Sequence, residues 1–217
     1  MLIVEDLALL LMDDESGTPA AAGTLYPTMG GAVLVELALA GLVDVQDKKV
    51  VATGEAPDDP LLRAGYDKVT EKPRSVGSLL PRIGADTWSA VVDRLVERGL
   101  IAKEKKRVLG VFRMNTLPAT DNTHEQEVRQ RIHAVLVDGE TPDPRTAALT
   151  ALLSASGALP VLQPPLAWSG EVHRRAKELE KGNWGAEAVS TAVAVAAAGI
   201  AASTAAVTAA VVVTTVT

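Results

Sequence analysis

The chain has 217 residues, a net charge of -6 at pH 7, 47% hydrophobic but only 3% aromatic residues, and no cysteine. This length is enough to bury one core, and the lack of cysteine excludes disulfides, thiolate metal sites and cysteine nucleophiles. The acidic balance argues against a dedicated nucleic-acid-binding protein, because phosphate contacts require a concentrated cationic face.

The chain begins with an apolar segment, MLIVEDLALLLMDDE, which lacks the positive start of a signal peptide and carries Glu5 and Asp6. Its leucine spacing predicts an amphipathic first helix, ended by the charged run after Met12 and by Gly17. Residues 18–29 are predicted to form a loop in which Tyr26 is the only aromatic residue.

The fold is predicted to be organised around residues 30–54, GGAVLVELALAGLVDVQDKKVVATG. An almost wholly apolar helix, with Glu36 as its only charge, is expected to end at Gly41 in a left-handed C-cap, and a hairpin follows. A helix that is apolar on nearly all sides is typical of a buried core. The pair Gly30-Gly31 indicates close backbone packing or, alternatively, amides left open to an anion.

The segment 86–114 repeats this arrangement at an offset of 58 residues, with Gly99 in the place of Gly41. Asp86 is predicted to cap the helix, and strands 100–103 and 108–112 are predicted to form the second hairpin. A winged-helix module has a similar pattern, so a DNA-binding regulator remains an alternative. The basic residues of this unit form a candidate patch for phosphates or anionic lipid headgroups; they are Arg94, Arg98, Lys103, Lys105, Lys106 and Arg107.

Other stretches also have helical patterns. These are residues 61–71, 123–137 with a Thr123–Gln126 capping box, 145–156, 171–181 capped by Ser169, and 185–198. Residues 76–83 form a short apolar segment. The predicted fold is mainly α: a single globular helical domain over residues 1–198, with two short β-hairpins and an uncharged Ala/Val/Thr-rich tail over 199–217. The uncharged C-terminal segment exceeds the length of a bilayer span, but it lacks leucine and aromatic anchors, so a buried helix is preferred to a membrane span.

No group of side chains resembles a nucleophile with its base, and the three histidines lack the spacing of a helical metal site. We therefore expect no catalysis, no metal and no cofactor. Arg145 lies at the start of its helix, the end at which the helix dipole disfavours a cation. This placement indicates another partner for Arg145 and makes it a candidate functional residue.

With these residues in place, the chain resembles the Golgi phosphoprotein 3-like family. The resemblance is carried by LIVEDLALLLMDDESG at 2–17, GGAVLVELALAGLV at 30–43, GADTWSAVVDRLVERGLI at 84–101, the hairpin ending VFRMNTLP, DPRTAALTALLSASGAL at 143–159, and the final helix after Trp184. It extends to about residue 198, and it implies a mostly α-helical single domain.

Eukaryotic members of that family bind phosphatidylinositol 4-phosphate on Golgi membranes and help to retain glycosyltransferases. The family's lipid site uses a tryptophan and an arginine ahead of the central helix, and arginines just before the helix that starts here near Arg145. The resemblance implies that Tyr26, Gly30 and Arg145 occupy this site, although Tyr26 and Gly30 differ from the family's tryptophan and arginine. Pro144 also stands where another arginine is expected.

The composition is typical of a bacterial protein, which implies a cytoplasmic location, peripheral on the inner face of the membrane. The first hypothesis is a non-catalytic domain that binds an anionic lipid headgroup or membrane surface. The alternatives are the winged-helix regulator and a protein-binding scaffold whose tail mediates self-association. The scaffold would bind another protein or a second copy of this chain.

Overall fold

A computed structural model describes residues 1–13, 18–47, 49–108, 112–182 and 193–202, with 105–108 and 112–116 described as backbone only. The helices are α1 (Ile3–Leu11), α2 (Leu25–Leu39), α3 (Pro60–Thr70), α4 (Val76–Glu97), α5 (Thr123–His133), α6 (Pro144–Ala155), α7 (Gly170–Glu180) and α8 (Val193–Ala202). The strands are β1 (Val43–Gln46), β2 (Lys49–Ala52), β3 (Arg74–Ser75), β4 (Glu104–Val108) and β5 (Phe112–Thr116). The mainly α class with two short hairpins is confirmed.

Helix α2 is the centre of the core, as predicted, and it is buried from Thr28 to Leu37. It begins at Leu25, so the predicted loop over 18–29 is wrong in its second half. Pro27 is tolerated there because the amides of a first turn have no partner inside the helix. By length and composition the stretch Ala22–Leu39 could span a membrane, but 72% of it is buried inside the protein, as in the core helix of a soluble protein.

Helix α1 is not amphipathic, which corrects the prediction: all its residues from Ile3 to Leu11 are buried. Helices α2, α4, α5 and α6 all pack against it. Glu5 and Asp6 are therefore enclosed with it. The predicted stop at Gly17 lies outside the described residues.

Helix α4 is continuous, whereas the sequence predicted two segments separated before Asp86. Asp86 is not a cap: it lies inside the helix and pairs with Lys68 of α3 at 3.2 Å. The helix continues through Pro81 because one buried stripe, from Val76 through Ile83 to Leu95, extends along it. Burial of several aliphatic side chains outweighs the cost of about 3 kcal/mol for a helical proline.

The repeated Gly-Leu ending is confirmed. Gly41 and Gly99 both have φ of +71°, and the following leucine amides donate to Leu37 O at 2.9 Å and to Leu95 O at 3.0 Å. This is the Schellman geometry, in which glycine adopts the left-handed conformation without steric cost.

The two hairpins differ in where their strands begin. Strands β1 and β2 pair as predicted, and β3 adds a third strand that the sequence did not predict. In the second unit Ile101 forms an isolated bridge with Ala119, so the strands lie at 104–108 and 112–116 and the predicted strand positions are wrong.

The helix starts in the second half follow local capping chemistry. Asp143 accepts hydrogen bonds from Arg145 N and Thr146 N, and Ser169 Oγ accepts one from Val172 N. The predicted Thr123–Gln126 capping box is wrong, because Asn122 is the N-cap and Asp121 accepts the Thr123 amide. Helix α8 crosses the proposed boundary at 198/199, with Ile200 packed close to Gly31; residues 203–217 lie outside the described chain.

Candidate functional site

Helices α2 and α6 run antiparallel, and this places the predicted site residues. At one end Thr24 Oγ1 donates to Ser156 O at 3.1 Å, and at the other end Arg145 contacts Glu36. Positions 26 and 36 of α2 are separated by about 15 Å along the helix axis. Tyr26 and Arg145 therefore lie at opposite ends of this helix pair.

Arg145 has the partner that its unusual position indicated. Its Nη1 donates to Glu36 Oε1 at 2.5 Å, and its Nη2 donates to Met1 O at 2.7 Å. Glu36 also accepts the amide of Ile3 at 2.7 Å. The only charge of α2 thus anchors α1 and α6 to the core, while the Arg145 side chain remains 44% exposed.

A cavity of about 300 Å³ opens beside Arg145. Helices α1, α5 and α6 and the turn before α6 supply its lining, which comprises Asp6, Val128, Arg131, Asp143, Arg145, Thr146 and Leu149. We refer to it as the Arg131–Arg145 cavity. Arg131 is exposed and, within the described part of the chain, its side chain makes no hydrogen bond or ion pair.

The cavity combines two guanidinium groups with two carboxylates. Asp6 Oδ1 lies 2.7 Å from His124 Nε2. Burial acts to raise the pKa of Asp143, but hydrogen bonds from Thr146 and from the Arg145 amide, together with the charge of Arg131, lower it overall. Both acceptors and donors therefore face the same small space, an arrangement suited to a ligand that carries an anion and hydroxyl groups.

Gly30 and Tyr26 are not part of this cavity. Gly30 is past the first turn of α2, where amides are already paired within the helix, so its close packing is confirmed as the reason for the glycine. A Cβ there would lie 2.0 Å from Leu80 O. Tyr26 is 50% exposed at the start of α2.

Two uncharged stretches of the sequence meet at the end of the molecule near Tyr26. The sequence has no charged residue from 16 to 35 or from 146 to 170, and Thr24 and Ser156 join these two stretches. The exposed large hydrophobic residues of the described chain, Tyr26, Val161 and Trp168, belong to them.

The predicted basic patch is not one open surface. Arg94 makes a bidentate contact with Asp59 at 2.9 and 2.8 Å, and its Nε lies 2.9 Å from Glu5. The Arg94 hydrogen bonds hold the pKa of Asp59 below its ordinary value. Lys103 pairs with Asp93 at 2.5 Å, and the side chains of Lys105, Lys106 and Arg107 lie outside the described residues. Arg94 is therefore not available for DNA phosphates, which weakens the DNA-binding alternative.

Arg131 is the cavity residue that sequence reasoning missed. It lies in a charged stretch of α5, VRQRIH, which looks like an ordinary solvated surface, and only the packing of α5 against α1 and α6 places it beside Arg145. Within the described residues no group of three His, Asp or Glu side chains could hold a metal ion.

One comparison with known families bears on this arrangement. A family model described as Golgi phosphoprotein 3 (GPP34) matches residues 3–196. The match includes the core helices α1, α2, α4 and α6 and all the residues that line the cavity. With most of its length matched, the chain belongs to the Golgi phosphoprotein 3 (GPP34) family.

Proposed function

We propose that this protein is a non-catalytic, peripheral membrane-binding domain that takes the headgroup of a phosphorylated inositol lipid into the Arg131–Arg145 cavity. The observation that supports this most directly is the pair of arginines, from two different helices, lining one cavity. Membership of the Golgi phosphoprotein 3 (GPP34) family also supports a lipid-related role. In a bacterial cell the protein would associate with the inner face of the membrane.

The chemistry of the lining favours a polyol phosphate over a bare anion. Arginine presents planar, directional donors that match phosphate oxygens. Asp6 and Asp143 add negative charge that would oppose a simple anion, but their oxygens can accept hydrogen bonds from ring hydroxyls. The volume, about 300 Å³, lies at the lower end of the range for small-ligand sites.

The two arginines have different tasks in this proposal. Arg145 uses Nη1 and Nη2 to hold Glu36 and Met1, which leaves its Nε–H and one Nη1–H for a ligand. The Arg131 side chain makes no hydrogen bond or ion pair among the described residues, so its guanidinium donors remain for phosphate. Removing Arg131 therefore tests the ligand without disturbing the anchor of α1.

The test is co-sedimentation with phosphatidylcholine vesicles that contain either phosphatidylinositol 4-phosphate or phosphatidylglycerol at equal surface charge. We expect the protein to bind the phosphoinositide vesicles more tightly than the phosphatidylglycerol vesicles. Arg131→Gln should weaken the affinity for the phosphoinositide vesicles about 10-fold, since hydrogen bonds to charged groups contribute about 1.5–3 kcal/mol. The matched control is Arg82→Gln, which removes an exposed arginine of α4 remote from the cavity lining. Equal binding to both anionic vesicles, or no effect of Arg131→Gln, would refute the headgroup site.

A further inference from the structure

A second cavity, of about 520 Å³, lies between α3 and α4. Adjacent residues of α1 relate to the two cavities differently: Asp6 lines the Arg131–Arg145 cavity, whereas the buried Glu5 contacts Arg94 and Arg98, which line this one. We refer to the second cavity as the α3–α4 groove. It shares no lining residue with the proposed headgroup site.

The floor of the groove is apolar and fixed by the core. Leu61 and Ile83 are buried beneath it, and Ala90 supplies a small side chain from α4. Gly65 brings α3 close to the core, because a Cβ there would lie 2.5 Å from Val33 Cγ1. The lining residues of α4 extend from Ile83 to Arg98, about 22 Å along the helix axis, so the apolar floor is long enough for an extended ten-carbon chain.

Arginine side chains stand at one end of this floor, and they differ in how fully their donors are used. Arg94 is committed to Asp59 and Glu5. Arg98 is 42% exposed, and its one ion pair among the described residues is a 3.4 Å contact with Glu5, which already pairs with Arg94. Arg98 therefore keeps most of its five N–H donors for another acceptor.

The opposite end of the groove provides no such cation. Lys68 Nζ lies 3.2 Å from Asp86 Oδ2, so its charge is balanced within the groove wall. Glu97 is exposed at the end near Arg98 and adds a negative charge there. Arg98 can balance one negative charge, so the second charge of a dianion would remain uncompensated beside Glu97, and the local charge favours a head of charge -1.

We propose that the α3–α4 groove binds a single-chain amphiphile with a carboxylate head, its hydrocarbon chain lying on Leu61, Ile83 and Ala90 and its carboxylate on Arg98. The chemical class is a medium-chain or long-chain fatty carboxylate. A phosphate monoester of the same chain would bind less well because of Glu97. This site is independent of the proposed headgroup site, so either can fail without the other.

The test is calorimetric titration of the full chain with decanoate, decanol and decyl phosphate, each below its aggregation concentration. We expect saturable binding with one decanoate per chain, tighter than decanol and tighter than decyl phosphate. Arg98→Gln should weaken the binding of decanoate about 10-fold, as expected for a charged hydrogen bond, and leave the affinity for decanol unchanged. Ala90→Leu, which fills the groove with a residue favourable to helices, should abolish the binding of both decanoate and decanol.

The controls separate the site from general effects. Arg82→Gln removes an exposed arginine from the same helix outside the groove and should leave every affinity unchanged, and thermal melts establish that each variant is folded. Equal affinity for decanoate and decanol would overturn the proposal and assign the groove to an uncharged apolar occupant. No saturable binding of decanoate, or binding unaffected by Ala90→Leu, would overturn it as well.

Discussion

The buried carboxylate of Glu5 depends on neighbouring arginines to compensate its charge. Its side chain is fully buried, at 0% exposure, and its cationic neighbours in the described chain are Arg94 at 2.9 Å and Arg98 at 3.4 Å. Removing one partner of a buried ion pair leaves a charge without compensation and costs about 3–5 kcal/mol. We therefore expect Arg94→Met to lower the free energy of unfolding by about 3 kcal/mol, measured by urea denaturation.

The double variant Arg94→Met/Glu5→Gln is the control for this prediction. If the loss comes from the Glu5 carboxylate, which would keep only the 3.4 Å contact with Arg98, removing that charge as well should restore part of the stability, and the two effects should not add. Additive losses would mean instead that Arg94 acts mainly through Asp59, the N-cap of α3.

At the scale of elements, the crossing of α2 and α4 depends on glycines from both helices. A Cβ on Gly30 would lie 2.0 Å from Leu80 O, and one on Gly84 would lie 1.8 Å from Tyr26 O. Both neighbours are backbone atoms, so neither contact can be relieved by a side-chain rotation. We expect Gly30→Ala and Gly84→Ala each to destabilise the protein by about 3 kcal/mol or more, in the range of overpacked cores.

Gly77 of α4 provides the matched control, because no atom beyond its own turn of helix lies within 4 Å of a Cβ built there. Gly77→Ala should be neutral or stabilise by up to about 1 kcal/mol, since alanine is the better helix former. Thermal melts of the three variants measure these effects. Equal changes in melting temperature would show that helix propensity, rather than the close crossing of α2 and α4, determines the stability of the variants.

The elements that could be predicted from the sequence are those fixed by local chemistry. The Gly-Leu endings at Gly41 and Gly99, the first hairpin and the Ser169 cap depend on neighbouring residues only. The continuity of α4 through Pro81 depends on burial against α2, which is a property of the packed fold. The candidate site follows the same division: Arg145 could be identified from its position at a helix start, whereas Arg131 joins it only when α5 packs beside α6.

At the scale of the whole molecule, the antiparallel pair α2 and α6 separates two different ends. The Arg131–Arg145 cavity lies at the start of α6, and the uncharged stretches with Tyr26 and Val161 lie at its other end. Ser156 is displaced from Arg145 by about 16 Å along the helix axis. If the lipid headgroup enters the cavity, Tyr26 should face away from the bilayer.

The absence of cysteine makes this orientation measurable with single labels. Thr141 is exposed two residues before the cap of α6, so Thr141→Cys carries a polarity-sensitive fluorophore next to the cavity, and Tyr26→Cys carries it at the opposite end. On phosphoinositide vesicles we expect a blue shift for the label at 141 and none for the label at 26, because only the first enters the interfacial region. Adding Arg131→Gln should remove the shift at 141. A shift at 26 alone would place the membrane against the uncharged end, where Tyr26 and Val161 provide apolar contact, and would exclude the cavity as the lipid site.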